Sequence, residues 1–378
     1  MNNKVLIIGA DHYNTLGLIE SFAEKGLLPY VIIITLDNWA YVLKSKYITK
    51  SWICHSDQDV ITCMLDNFSN ELDKVVVIAS CDHAASIIDD NYEKLIKYFI
   101  LPITDTPGNF RTIINKENMS SLARKVGINV PKTWVISNKS VPNDVNFPCI
   151  TKAISSVEGS KKNIKVCYIK SDLMMFLNDD NHCSVIQVEE FIDKEYEFQL
   201  LGCSLNHGKE IIIPGRTHMF KDKFGLAYFL RFDIIEEEYE ELVIKAKELI
   251  GLTGYQGLFS IEMLRGKDGK TYFTEMNLRN DGTAYCATSS GINLPYIYYL
   301  NCIGKNSQQE INNSSVRTTY MITAYHYFIA VLTGRYSIKE WFFDVRKATC
   351  HKIYFRNDRK PVFWFILKKC EHLIKRIL

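Results

Sequence analysis

No CxxC pair occurs among the eleven cysteines, and their number is odd, so neither a disulfide framework nor a paired-thiolate zinc site is indicated. No charged start, apolar run and small-residue cleavage site opens the sequence either, and the thiols read as reduced and cytoplasmic. Long apolar runs are also missing. The most apolar stretch, Tyr320–Leu332, contains His326 and falls short of the ~20 residues that cross a bilayer, so no transmembrane helix is expected. Hydrophobic residues at 47% and charged ones at 23% lie outside the disordered and low-complexity regimes.

What is present is a long globular chain. Its 378 residues exceed one ordinary core, and about two or three lobes with a cleft are expected. The net charge of +2 is unevenly placed: from Phe343 onward ten Lys and Arg face three Asp and Glu, so that stretch carries +7 and the rest −5.

Lys4–Gly9 is a β-branched run, Leu16–Lys25 has a helical pattern stopped by Gly26, and Leu28–Ile34 is strand-like. The alternation continues through Val75–Ser80, a helical Ala84–Tyr98 and Ile100–Ile103, which predicts a small parallel sheet over residues 1–108. Such sheets bind ligands at the carboxyl ends of their strands, which singles out the loops Gly9–Gly17 and Ser80–His83. Lys116–Val126 reads as a helix closed by Gly127. Strand-like Cys149–Ala153, Ile164–Ile169 and Val185–Glu190 with helical Asp172–Leu177 complete a small α+β lobe over 109–190, one wall of a nucleotide cleft. Strands Tyr196–Gly202, Glu210–Ile213, Leu258–Leu264 and Thr271–Met276 with the helix Glu236–Ile250 make a second wall over 191–305. Residues 306–378 form a C-terminal extension.

The sharpest chemical signal runs from Gly257 to Gly282. Two apolar strands joined by Lys267-Asp268-Gly269 read as a hairpin, which sets Glu262 and Glu275 facing each other. With Asn277 they form an all-oxygen set suited to Mg²⁺, and a carboxylate embedded among Phe259, Ile261 and Phe273 needs a cationic partner. Arg279 falls on the same face if the strand continues, and its guanidinium is suited to a transferring phosphoryl group. The bland alternative for each glutamate is a solvated strand face.

Lys152 lies near the end of a buried-looking strand and precedes Ser155-Ser156-Val157-Glu158-Gly159-Ser160, whose backbone N–H groups and hydroxyls suit phosphates. Lys116 offers a second phosphate contact, or a surface charge at a helix start. Glu189, Glu190, Phe191 and Ile192 have the form of a hinge whose backbone suits the adenine edge, with a carboxylate a short way on for the ribose; the alternative is an acidic edge strand.

In this order Lys116, Lys152, the Ser/Gly loop, the hinge and the Glu-Glu-Asn-Arg set resemble the ATP-grasp superfamily, over about residues 1–305. The most specific part is Phe273-Thr274-Glu275-Met276-Asn277-Leu278-Arg279, with Leu278 where the family has proline. The resemblance implies an α/β and α+β multidomain ATP-grasp fold with an N-terminal Rossmann-like, pre-ATP-grasp domain and a basic C-terminal helical extension. It implies ATP with Mg²⁺ (or Mn²⁺), with Lys116, Lys152, Ser155, Ser156, Gly159, Ser160 and Lys221 toward phosphate and Glu189, Glu190, Phe191 and Ile192 toward adenine. Glu195, in competition with Glu197, goes to ribose, Glu262, Glu275 and Asn277 to the metal, and Arg279 with Lys152 to catalysis. Arg216, also considered for phosphate, is with Arg231 and Asp281–Tyr285 a candidate to hold the acceptor.

Gly334–Arg359 resembles carboxylate–amine ligases related to D-aspartate ligase and to cell-surface polysaccharide enzymes. The expected activity is ATP-dependent carboxylate–amine, or carboxylate–thiol, ligation through an acyl phosphate in polysaccharide or peptidoglycan precursor modification. Its substrates would be small, or linked to a lipid or nucleotide, and a homodimer is admitted. The competing expectation is a non-catalytic ATP-binding regulator, against which the intact Glu262, Glu275 and Asn277 argue. The tail, with Val362–Leu367 followed by Lys368 and Lys369, suits either a membrane surface or a helix packed on the domains with solvated lysines, the latter being preferred. Nucleic acid is not expected, because aromatic and basic residues do not interleave.

Overall fold

The computed structural model describes residues 3–137, 140–153, 164–179, 185–223 and 226–377. The chain forms two units, a larger one of Met1–Phe110, Gln199–Ser260 and Asn277–Leu378 and a smaller one of Arg111–Phe198 and Ile261–Met276.

The larger unit begins with β1 (Val5–Gly9), α1 (Tyr13–Ala23), β2 (Tyr30–Ile34), β3 (Lys50–Cys54), α2 (Asp57–Phe68), β4 (Val75–Ala79), α3 (Asp82–Asp90), α4 (Tyr92–Leu95) and β5 (Phe99–Ile100). These strands form a parallel sheet in the order β3-β2-β1-β4-β5. Every residue of β1 and β4 is buried, as expected of parallel strands covered on both faces. Helix α1 starts at Tyr13, earlier than the apolar pattern indicates, because the His12 side chain accepts from the Asn14 N–H at 3.3 Å and caps it. The single helix expected over 84–98 is interrupted at Asn91. Strand β3 and helix α2 escaped the sequence reading: Lys50 and Ser51 dilute the strand pattern, and the buried stripe of α2 is only Val60, Ile61, Met64 and Phe68.

The smaller unit contains α5 (Phe110–Ile113, begun on the last residue of the larger unit), α6 (Lys116–Lys125), β6 (Thr133–Ile136), β7 (Cys149–Ala153), β8 (Lys165–Cys167), α7 (Lys170–Asn178) and β9 (Ile186–Glu190). The antiparallel sheet order is β6-β9-β7-β8. One face buries Trp134, Ile136, Cys149, Ile186 and Val188 with Leu173 and Phe176 of α7. Each large apolar side chain so buried contributes about 1.5–3 kcal/mol.

The chain continues through β10 (Lys194–Leu205), β11 (Glu210–Lys223), β12 (Leu226–Asp233), α8 (Glu240–Gly251), β13 (Gly257–Gly266) and β14 (Thr271–Asn277). After α9 (Tyr285–Ser290), α10 (Leu294–Cys302) and α11 (Ser307–Asn313) come β15 (Thr319–Ile322), α12 (Ala324–Leu332), α13 (Ile338–Lys347), β16 (Cys350–His351) and α14 (Lys360–Ile377). The second sheet has the order β14-β13-β10-β11-β12-β15-β16. Strand β11 runs well past the expected Ile213, and β12 was not foreseen. Within the larger unit α14 lies on the N-terminal section: Trp364 meets Trp39 at 5.5 Å, Phe365 meets Tyr41 at 5.2 Å, and Lys368 reaches Asp11 at 2.7 Å. No helix among the described residues is long and apolar enough to cross a membrane.

Candidate active site

In the smaller unit the pleat assigns the side chains. Ile186 and Val188 point into the core, so Gln187 and Glu189 occupy the opposite face of β9. Lys152 pairs with Gln187 across β7 and β9, which puts it on that same face. Its ammonium bonds the Glu189 carboxylate, and Gln187 Nε2 donates to the other oxygen at 2.7 Å. Burial works against the charge on Lys152, but Glu189, Glu275 and Glu262 outweigh it and raise its pKa above the usual lysine value.

Lys116 opens α6 behind the cap Asn115, whose side chain accepts from Glu117 N–H at 3.0 Å. Burial dominates there and lowers its pKa, although Glu275, Glu189 and Glu262 pull the other way. Lys116, Lys152, Glu189, Glu262 and Glu275 therefore share one electrostatic neighbourhood, three carboxylates with two ammonium groups. Among the described residues no group of three or more His, Cys, Asp or Glu is arranged as a metal site. The set expected from sequence is of another composition, two glutamates and an asparagine.

The hinge is narrower than its sequence indicates. Glu189 is flanked by β6 and β7, paired with Thr133 and Ile150, and the N–H groups of Glu190 and Phe191 donate to Lys132 and Pro148 at 2.8 and 3.3 Å. Glu189 thus faces Lys152 through its side chain, and the connection after β9 offers carbonyls and Ile192. Glu195 is exposed on β10, while Glu197 is paired with Lys194. Ser155, Ser156, Gly159 and Ser160 lie outside the described residues.

In the larger unit a second constellation forms where β1 and β4 end. A Cβ on Gly9 would fall 1.7 Å from Ser80 Oγ, so only glycine lets these two strand ends approach. Asn14 Nδ2 donates to the carbonyls of Ser80 and Asn280, both at 2.7 Å. Strand β14 stops at Asn277, so Arg279 does not follow as part of the strand. The guanidinium nevertheless reaches Asn277 Oδ1 at 2.8 Å, and Asp82 holds it at 3.2 and 3.4 Å. Asn277 Nδ2 donates to Ser260 Oγ at 3.2 Å. Asp281 closes the set: burial would raise its carboxyl, but Arg279, the Thr283 N–H and hydroxyl, and Lys352 keep it below its usual value.

The other candidate cations have partners of their own. Arg216 is buried in a two-pronged pair with Glu236, at 2.6 and 2.8 Å, and stands 4.3 Å from the Tyr239 ring. Arg231 pairs with Asp233, and Lys221 with Glu340 of α13.

Lys352 was not singled out from the sequence, where it is one of ten cations in the basic stretch. It is 5% exposed, 4.8 Å over the Tyr13 ring, and its hydrogen bond is a long one, 3.5 Å to the Ala227 carbonyl. Lys352 and Arg279 both act on His12 in the first βα loop. A buried ammonium so loosely held is suited to an anionic ligand.

No family model matches the chain. By sequence it is similar to the D-aspartate ligase of Enterococcus faecium (strain Aus0004), 22% identical over 343 residues that cover 83% of this chain and 78% of that protein. By fold it is similar to the L-amino acid ligase of Bacillus licheniformis, with a TM-score of 0.64, 17% identity and coverage of 85% and 79%. The biotin carboxylase domain of Hydrogenobacter thermophilus 2-oxoglutarate carboxylase, solved with MgADP and bicarbonate, matches with a TM-score of 0.66, 12% identity and coverage of 85% and 74%. The chain has the ATP-grasp fold. In this fold the two lysines expected at the phosphates, Lys116 and Lys152, come from a helix start and an inner strand of one unit.

Proposed function

We propose that this ATP-grasp protein is an ADP-forming ligase that joins a carboxylate to an amine. The observation that carries the reading is the neighbourhood of Lys116, Lys152, Glu189, Glu262 and Glu275, in which cations suited to phosphate and carboxylates suited to a hard cation act on one another. The donor set fits Mg²⁺: Glu262, Glu275 and Asn277, two residues further along β14, offer only oxygen ligands. Bound there, the ion would neutralise phosphate charge.

Lys116 and Lys152 hold the nucleotide phosphates, and Arg279 takes charge that develops on the transferred group, exchanging its bonds to Asp82 for it. The substrate carboxylate forms its bond to the γ-phosphorus as the bond to the ADP oxygen breaks. The amine nitrogen then bonds the acyl carbon, phosphate departs and the amine proton goes to water. Lys352 receives an anionic group of the acceptor. We take one substrate to be an amino acid, since the relatives by sequence and by fold are named as D-aspartate and L-amino acid ligases. A cell-surface precursor as the other substrate, and the four sections 1–108, 109–190, 191–305 and 306–378, are part of the same proposal.

Phosphate release from ATP, with Mg²⁺ or Mn²⁺, over a panel of amino acids and amines tests it. Release is expected only when both substrates are present, with a condensed product in the mass spectrum and loss of turnover in Glu275→Gln. A protein that binds ATP yet gives no phosphate with any substrate pair would be a non-catalytic ATP binder.

A further inference from the structure

Helix α14 has two apolar stripes. Trp364, Phe365 and Lys368 face inward, onto Trp39, Tyr41 and Asp11. Phe363, Ile366, Leu367 and Cys370 follow the i, i+3, i+4, i+7 spacing and are all exposed, Phe363 by 59%. A packed helix of this kind needs only the first stripe.

Ile366 of the second stripe also lines a cavity. This cavity of about 320 Å³, almost wholly apolar, lies among α12, α13, α14 and the segment after β16. Phe328, Tyr354 and Ile366 line it and are also exposed at its mouth. On the same two helices, Leu332 of α12 is 66% exposed and Phe342 of α13 is 56% exposed. Contiguous apolar surface rimmed by polar residues marks a docking site.

The rim is cationic. Lys339, Lys360 and Arg346 are exposed, the last with its guanidinium 5.8 Å from the Phe342 ring. A second copy would set these exposed cations against their like. We propose that this face docks on an anionic phospholipid bilayer, with Phe342, Phe363 and Leu367 entering the headgroup boundary and the basic residues meeting lipid phosphates. This is a surface contact by side chains of packed helices, independent of the ligase reading.

Co-sedimentation of the full chain with vesicles of phosphatidylcholine alone, and of phosphatidylcholine with phosphatidylglycerol, tests it. Binding is expected to the anionic vesicles, weakening as salt is raised. Phe342→Ser with Phe363→Ser should weaken it at least about tenfold with an unchanged melting temperature. Should that pair perturb folding, Lys339→Glu with Lys360→Glu must weaken anionic binding on its own. Absence of binding to anionic vesicles at low salt overturns the proposal. So does binding unaffected by both pairs, or concentration-dependent self-association through Phe342 and Phe363 without vesicle binding.

Discussion

The carboxylate of Glu189 is shared between Lys152 and Gln187, so the lysine nearest the sheet centre is held in place before any phosphate arrives. If Lys152 contacts the nucleotide phosphates, Lys152→Met should weaken MgADP binding at least about tenfold, as expected of a hydrogen bond to a charged group, ~1.5–3 kcal/mol. Glu189→Gln removes the counter-charge bonded to Lys152 and should lower the melting temperature. Because the two share one interaction, the double variant should be less destabilised than the sum of the singles. Calorimetric melting and titration with MgADP of all four proteins give the cycle. Strict additivity would show that the pair is incidental.

Burial lowers the pKa of Lys116, and if this lysine meets the nucleotide phosphates, binding gains a pH dependence. The protonated form is the one that attracts phosphate. Affinity for MgADP should therefore be level near neutrality and fall as pH rises through a value below the ordinary lysine range. In Lys116→Arg the guanidinium stays charged and the fall should vanish. Titrations across the alkaline range would read the difference, and identical profiles for both proteins would remove Lys116 from the phosphates.

Glu20 and Asp358 form a buried carboxyl pair. Burial and then Asp358 push Glu20 up to about 9. A carboxyl whose folded pKa lies above its unfolded one contributes stability that is complete below the unfolded value of about 4.5 and is lost as pH rises toward and through about 9. The slope is at most about 1.4 kcal/mol per pH unit. Glu20→Gln keeps the shape and removes the titration. It should match the parent in acid and melt higher than it in mild alkali. Parallel melting curves at every pH would refute the pairing.

Much of this was readable in advance, for identifiable reasons. The β-branched runs at Val5–Gly9 and Val75–Ala79 declare buried parallel strands, and an Asp-Gly turn marks the β13–β14 hairpin, so the α/β class and the placement of Glu262 and Glu275 on strands followed from pattern. Strand β3 was missed because Lys50 and Ser51 interrupt its apolar pattern. Arg279 was placed by strand periodicity, whereas a short irregular segment after Asn277 brings it to Asp82, 197 residues earlier. Contacts at that separation have no local signature. The same holds for the side chain of Glu189: the hinge reading concerned its backbone, and its contact to Lys152 crosses two strands.

Lys352 offers a test of the acceptor role apart from the nucleotide role. It belongs to the larger unit, whereas Lys116 and Lys152 belong to the smaller one. If it receives an anionic group of the acceptor, Lys352→Met should raise the KM for that substrate at least about tenfold, the loss of a charge-assisted hydrogen bond, and leave MgADP affinity within about twofold. Lys352→Arg should restore part of the KM, because charge matters more there than shape. A merely structural role predicts something else: burying a methionine in place of a loosely bonded ammonium would raise the melting temperature without changing KM. Steady-state kinetics and melting on the same three proteins decide between a ligand-facing cation and a buried strut.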